Sequence, residues 1–315
     1  MSDSPISQFS DLDGLMTTLD VNVVALAECF VGRGWRLSFP ASKMAGLHYN
    51  LAGFGRIGIG ADPPISFPPH TFVIIPPGAS FYIDMAIEGD EHAVPRVVRG
   101  RSGLIEPSMV LERFVAGEEE PRVTAICGYF RAFYGVSIDL FTTLLSPLVE
   151  QFEATDLLGA TLQALVTELD AQQVGMRAMT TTLLKQAIVI LLRRSLYFSD
   201  VGLDRFSMLS DREITHAFAD MVARPQASHS VMSLARSAGL SRSVFMMRFT
   251  RALGCSPMAA LRQLRMRHAT TLLASGDLSI EDVARAVGYA SRSSFFRAFR
   301  EVYGMEPSSY RISAF

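Results

Sequence analysis

The chain has 315 residues, of which 49% are hydrophobic and 19% charged, and its formal net charge is −2. That length exceeds what one small core needs, and that hydrophobic content excludes disorder for most of the chain. There is no run of about 18 apolar residues, and the polar, acidic start MSDSPISQFSDLDG does not read as a signal peptide, so a cytoplasmic protein with no membrane partner is expected.

Residues 20–135 read as β-rich. GLHYNLAGFGRIGIG mixes aromatic, β-branched and glycine residues, and ADPP and FPPH interrupt the pattern as turns. TFVIIPPGASFYI reads as two strands around a Pro-Pro-Gly turn, and RVTAICGYFRAF as another strand. Many short strands between Gly/Pro turns predict a sandwich or a barrel. Cys29, Cys127 and Cys255 are far apart and form no CxxC pair, which argues against a disulfide framework or a cysteine zinc site. Reduced, buried thiols are expected, with redox sensing through Cys29 and Cys127 as the alternative.

From about residue 139 the spacing becomes helical in DLFTTLLSPLVEQF, DLLGATLQALVTELDAQQ and GMRAMTTTLLKQAIVILLRRSLYF. Leu162, Leu165, Val166 and Leu169 recur at helical intervals, as do Leu184, Ile188, Leu191 and Leu192. A helical hairpin is predicted, suited either to pairing with a second copy of the chain or to packing within one chain.

The charge is unevenly distributed. Residues 211–315 hold 14 arginines, no lysine and 8 acidic residues, a surplus of six positive charges, whereas residues 1–210 carry a surplus of eight negative ones. A basic third made basic by arginine alone suits a polyanion, because guanidinium groups pair bidentately with phosphate and guanine edges. The same third repeats itself. LARSAGLSRSVFMMRFTRALGCSP aligns with VARAVGYASRSSFFRAFREVYGMEP: Gly239 with Gly288, Phe245 with Phe295, Phe249 with Phe299, Gly254 with Gly304 and Pro257 with Pro307. This predicts two helix–turn–helix units. In the second, Ser291 caps a helix whose inner stripe is Phe295, Phe299, Val302 and Tyr303, leaving Ser293, Arg297 and Arg300 outward. In the first, Ser243, Met247 and Thr250 face outward with Met246 at the edge and Arg248 and Arg251 beside them. One helix is thus expected to offer charge to a major groove, the other thioether and methyl groups. Between them, SPMAALRQLRMRHATTLLASGD predicts one stiff helix, capped by Ser256 and opened by Pro257. At about 18 residues it spans ~27 Å, enough to hold two readers about one ~34 Å turn of DNA apart.

GYASRSSFFRAFREVYGMEPSSYR resembles the signature of the AraC/XylS family of bacterial transcription regulators. Gly288, Tyr289, Ser291, Phe295, Arg297, Phe299, Gly304, Pro307, Tyr310 and Arg311 all stand at its fixed positions. LHYNLAG, FVIIPPGASF and VTAICGYF are similar to the cupin half of members that carry one. The resemblance implies a multidomain α+β chain: a cupin-like β-barrel sensor over 1–138, a helical linker or dimerisation hairpin over 139–205, and an all-α double helix–turn–helix over 211–315. It implies DNA contact through Ser243, Met246 and Met247 in the first copy and Arg292, Ser293 and Arg297 in the second; Arg242 and the outward Arg300 are expected to contact DNA beside them. The first copy departs from the family in carrying methionine where polar or basic residues are usual, with its arginine one place later at Arg248. Double-stranded DNA, RNA polymerase, a second copy of the chain and a small effector are the implied partners, with activation as the implied role.

In metal-binding cupins, histidines on two facing strands hold the ion. Here His48 stands at the first place but Phe81 occupies the second, and Tyr49 and Asn50 are poor substitutes. No metal, no cofactor and no enzymatic activity are therefore expected; a metal-free cupin enzyme with a DNA-binding tail is the alternative. Trp35, His48, Phe54, Phe81 and Tyr82 are candidates to line an apolar effector pocket, and Arg96, Arg99 and Arg101 of RVVRGR to clamp an anionic signal.

Overall fold

The structure, a computed structural model, describes residues 5–315 apart from 86–94, 101–111, 119, 137, 143, 145, 154, 198–210 and 314–315. Arg101 and the end of the expected linker lie outside the described residues. The chain packs as two compact units. One comprises Asp20–Ala132 and Leu144–Arg205; the other comprises Met1–Leu19, Phe133–Thr143 and Phe206–Phe315.

The first unit is built on strands β1 (Asp20–Val31), β2 (Trp35–Phe39), β3 (Ala45–Gly53), β4 (Gly55–Ile59), β5 (Ile65–Phe67), β6 (Thr71–Ile75), β7 (Phe81–Asp84), β8 (Arg96–Arg99), β9 (Glu112–Ala116) and β10 (Val123–Tyr134), with β12 at Leu148–Gln151. One sheet runs β12-β6-β3-β10-β1-β9 and the other β5-β4-β7-β2-β8. Among the described residues the expected barrel is thus two sheets, neither closed on itself. Alternate residues of each pack inward: Leu37 and Phe39, Phe81 and Ile83 from one sheet meet Cys29, Val73, Ile75, Ala125 and Cys127 from the other in one buried cluster. Outside this core, Asp84 is fully buried but paired with Arg36 at 2.5 Å and Arg56 at 3.0 Å, as a buried carboxylate requires.

Residues 139–152 correct the expected helix. Leu148–Gln151 pair antiparallel with β6, Leu148 opposite Ile74 and Gln151 opposite Thr71. Pro147 has no N–H for a helix interior, and the edge of β6 supplies partners to an extended chain. The two expected helices that follow are present as α2 (Leu157–Ala171) and α3 (Met176–Tyr197). Leu162, Leu165, Val166 and Leu169 of α2 are buried, as are Leu184, Ile188, Leu191 and Leu192 of α3, so the apolar stripes are covered within the chain.

The second unit contains α1 (Pro5–Thr18), the end of β10 with its two-residue partner β11 (Ile138–Asp139), and helices α4 (Arg212–Ala223), α5 (Val231–Ser237), α6 (Arg242–Leu253), α7 (Pro257–Ser275), α8 (Ile280–Ala286), α9 (Arg292–Tyr303) and α10 (Pro307–Ser313). The repeat seen in the sequence is repeated in the backbone. Ser241 and Ser291 cap α6 and α9 by accepting from Val244 and Ser294 N–H. Gly254 and Gly304 end them in the left-handed conformation, φ 69° and 70°. Phe245, Phe249, Phe295 and Phe299 are fully buried beneath them.

Helix α7 is the single long helix expected between the copies, 19 residues from the Ser256 cap to left-handed Gly276. Its Arg265 joins the two halves. Nε and Nη2 donate to the Pro225 and Ala227 carbonyls at 2.7 and 2.8 Å, and the guanidinium lies 5.5 Å from the Tyr289 ring. α1 was not foreseen. Leu12, Leu15 and Met16 are buried, and Asp11 meets His216 of α4 at 2.6 Å. Tyr134 is buried edge-on against Phe218, 5.3 Å between centroids.

Candidate functional site

The outward faces of α6 and α9 are where a groove can be met. On α9, Arg292, Ser293, Arg297 and Arg300 are all exposed. Arg292 is 3.3 Å from Glu281 and its guanidinium lies 4.9 Å from the Phe296 ring, while Arg300 is 3.3 Å from Glu306. Exposed pairs of that kind are worth little and exchange readily for phosphate. Arg297 has no ion-pair partner among the described residues. Its helix cannot rotate to hide it, because Phe295 and Phe299 anchor the opposite face in a cluster with Val283, Val287, Met266 and Leu273.

On α6, Ser243 and Met247 are exposed and Met246 is half-buried, as their helical spacing leads one to expect, and Arg242 is exposed as well. Arg248, by contrast, is turned back. It donates to Asp211 at 2.7 and 2.6 Å and to Glu213 at 2.7 Å. Burial works to raise the Asp211 pKa, but the hydrogen bonds from Arg248 and the Ile214 N–H, with the Arg248 charge, outweigh it and lower the pKa below its usual value. Met247, 64% exposed, is the most prominent apolar group of this face.

In the two-sheet unit the candidate residues separate. Phe81 and His48 come together, ring centroids 4.0 Å apart. His48 is fully buried, neither ring nitrogen has a partner among the described residues, and burial lowers its pKa to about 3. Gly46 makes the room: a Cβ there would lie 2.8 Å from His48 Nε2. Tyr82 is half-buried with the Arg36 guanidinium 3.7 Å above its ring, and Trp35 lies beneath Arg96 at 5.6 Å. Arg96 and Arg99 are exposed on β8, in register with Trp35 and Ser38. Phe54 is 72% exposed.

Between the sheets lies a pocket with about 420 Å³ of empty space, its mouth included. It is lined by Phe39 and Phe81 from one sheet and by residues 25–27, Glu112, Phe114, Cys127, Gly128 and Tyr129 from the other. Of the expected lining residues only Phe81 reaches this pocket. Phe39 is its direct cross-strand partner, which strand parity would have shown had the register been known. Cys29 and Cys127 lie side by side. Burial, then the hydrogen bond and charge of Cys29, raise the Cys127 pKa well above its usual value, the opposite of a reactive thiolate.

Residues 12–196 match the family described as Cupin, and residues 234–313 match a helix-turn-helix domain. A putative AraC-like transcription regulator of Streptomyces lividans is 25% identical over 309 residues, covering 95% of this chain and 97% of that one. The HTH-type transcriptional regulator AlkR of Acinetobacter baylyi is 36% identical over 99 residues, 31% of this chain and 32% of AlkR. An uncharacterised HTH-type regulator of Haemophilus influenzae is 26% identical over 176 residues, 55% of its length, so the chain spans only part of some relatives it matches. Among solved structures, the DNA-binding domain of AdpA in complex with a target DNA is 30% identical over 31% of this chain and 87% of that one, TM-score 0.30. The chain belongs to the AraC-type family of transcriptional regulators, in the form that carries an N-terminal cupin domain. No helix among the described residues is long and apolar enough to cross a membrane.

Proposed function

We propose that the chain is a cytoplasmic regulator that reads an operator with two chemically unlike helices. Arg242, Ser243, Met246 and Met247 of α6 face one half of the site, and Arg292, Ser293, Arg297 and Arg300 of α9 face the other. The observation that carries this reading is Arg297, an exposed guanidinium without a partner among the described residues on a helix fixed from behind by Phe295 and Phe299. Replacing it by alanine is expected to weaken operator binding by ~1–3 kcal/mol, measured by fluorescence anisotropy. Unchanged affinity removes it from the interface.

The division of labour we propose is sensor over 1–138, pairing hairpin over 139–205 and reader over 211–315, with a small effector bound by the sensor and RNA polymerase engaged as an activator would. The stripes of α2 and α3 being covered, a homodimer is assigned to what stays exposed there, Leu157, Val174 and Met179. The cupin half acts as a sensor and not as a catalyst. His48 packed against Phe81, where a metal-binding cupin would place a second imidazole, supports that reading.

A further inference from the structure

We propose that Arg265 is a positioning residue that sets which spacing between operator half-sites the chain accepts, by pinning a turn of one helix–turn–helix half to a turn of the other. This rests on the reading that α6 and α9 each face one half of the operator.

The two turns meet at Arg265. From α7, its Nε and Nη2 donate to the Pro225 and Ala227 carbonyls at 2.7 and 2.8 Å, in the turn between α4 and α5 of the first half. Its guanidinium also lies 5.5 Å from the ring of Tyr289, in the turn between α8 and α9 of the second half. Gly288 lets the turns approach. A Cβ there would lie 2.6 Å from the Gln226 carbonyl oxygen and 3.0 Å from Arg265 Nη2.

The pin is directional. Two hydrogen bonds from the planar fork of a guanidinium fix its orientation as well as its distance, whereas a lysine ammonium carries the charge without the fork. Both acceptors lie just past the C-terminal end of α4, where a cation is favoured.

From the pin, contacts lead to both reader helices. Tyr289 stands edge-on to Phe295 at 5.8 Å, and Phe295 is the fully buried anchor of α9. On the other side, His229 Nε2 meets the Arg224 carbonyl at 2.9 Å, and the turn enters α5 through the Ser230 cap. α5 packs in turn against α6. A half that rocked about α7 would break both hydrogen bonds of Arg265 together, so α6 and α9 keep one separation and one angle. One added base pair moves a half-site by about 3.4 Å and turns it by about 34°, which a rigid pair of readers cannot follow.

The experiment uses the full chain and a DNA duplex selected by the wild type from random sequence. Affinity is measured by fluorescence anisotropy at the selected spacing and with one base pair added or removed between the half-sites. Wild type is expected to lose about thirtyfold on either change. Arg265→Lys and Arg265→Gln should lose only about fivefold on either change, and about threefold at the selected spacing because preorganisation is gone. An arginine that only braces the fold would lower Tm and weaken all three duplexes by one factor, which would overturn the proposal. So would a wild type indifferent to spacing, or a wild-type spacing loss in Arg265→Lys, since charge without the fork would then suffice. Arg265→Lys, which keeps charge and stem, carries the test should Arg265→Gln not fold, and failure of both to fold also overturns it. Scrambling each half-site in turn separates the two readings. If one scrambled half leaves wild-type affinity unmoved, the two-helix reading falls and takes this proposal with it. If both halves matter and the variants keep the wild-type spacing loss, the role of Arg265 falls alone.

Discussion

Arg248 grips both oxygens of Asp211, Nε to Oδ2 at 2.7 Å and Nη2 to Oδ1 at 2.6 Å, and so the one arginine central to the first reader helix points away from its outward face. Asp211 is also the cap of α4, accepting from the Ile214 N–H at 3.2 Å. Arg248→Ala is therefore expected to destabilise the unit by about 1 kcal/mol, a value kept small because the pair is partly exposed. The salt dependence of operator binding should not change. A drop in the salt slope of about one would show instead that Arg248 neutralises a phosphate.

The same pair gives a pH dependence with a definite sign. The Asp211 pKa in the folded chain lies below its usual 3.8. Its contribution is therefore present above 3.8 and is lost as pH falls through the lower folded value. The Tm difference between wild type and Asp211→Asn should be largest near neutral pH and shrink as the pH falls below 3.8, followed by circular dichroism. A difference that grows on acidification would contradict the assignment.

Gly288 and Gly254 separate two roles of glycine. Both have positive φ, 87° and 69°, but a Cβ on Gly288 would lie 2.6 Å from the Gln226 carbonyl oxygen, whereas Gly254 has nothing within 4 Å. Gly254→Ala should cost about 1 kcal/mol, the left-handed penalty alone. Gly288→Ala should cost roughly 3 kcal/mol or more, because backbone must move as well. Thermal unfolding of the two variants decides this, and equal losses would mean the 226 turn yields freely.

The methionines of α6 lead to a base-level expectation. A thioether cannot read donor and acceptor patterns, but it can cover a thymine methyl. Replacing single thymines by uracil in the half-site under α6 keeps every base-pair hydrogen bond and removes only the methyl. Loss of affinity at one or more positions is expected for the wild type and not for Met247→Ala. Full affinity at every substituted position would exclude methyl readout.

Much of the second unit was legible because its information is local. Serine caps, left-handed glycines and paired phenylalanines recur at a fixed interval, and the backbone follows them at Ser241 and Ser291, Gly254 and Gly304. What failed was non-local. Leu148–Gln151 became a strand because β6 was there to pair with, and nothing within 139–152 names that partner. Helix α1 was passed over for its polar start, although Leu12, Leu15, Met16 and Leu19 recur at helical spacing. Its partner residue His216 is over two hundred positions away from Asp11. In the pocket, Phe81 was found and Phe39, Phe114 and Tyr129 were missed, since strand register decides which aromatic residues face one another. Phe54, equally aromatic, sits on the outside.

The asymmetry of the two reader helices is tested most directly by one salt titration of operator affinity on three proteins: wild type, Arg297→Ala and Met247→Ala. Arg297→Ala should lose ~1–3 kcal/mol, with a salt slope lower by about one if the contact is to phosphate. Met247→Ala should keep the wild-type slope. Parallel lines of equal affinity for wild type and Arg297→Ala, or a slope reduced equally by both substitutions, would contradict the account.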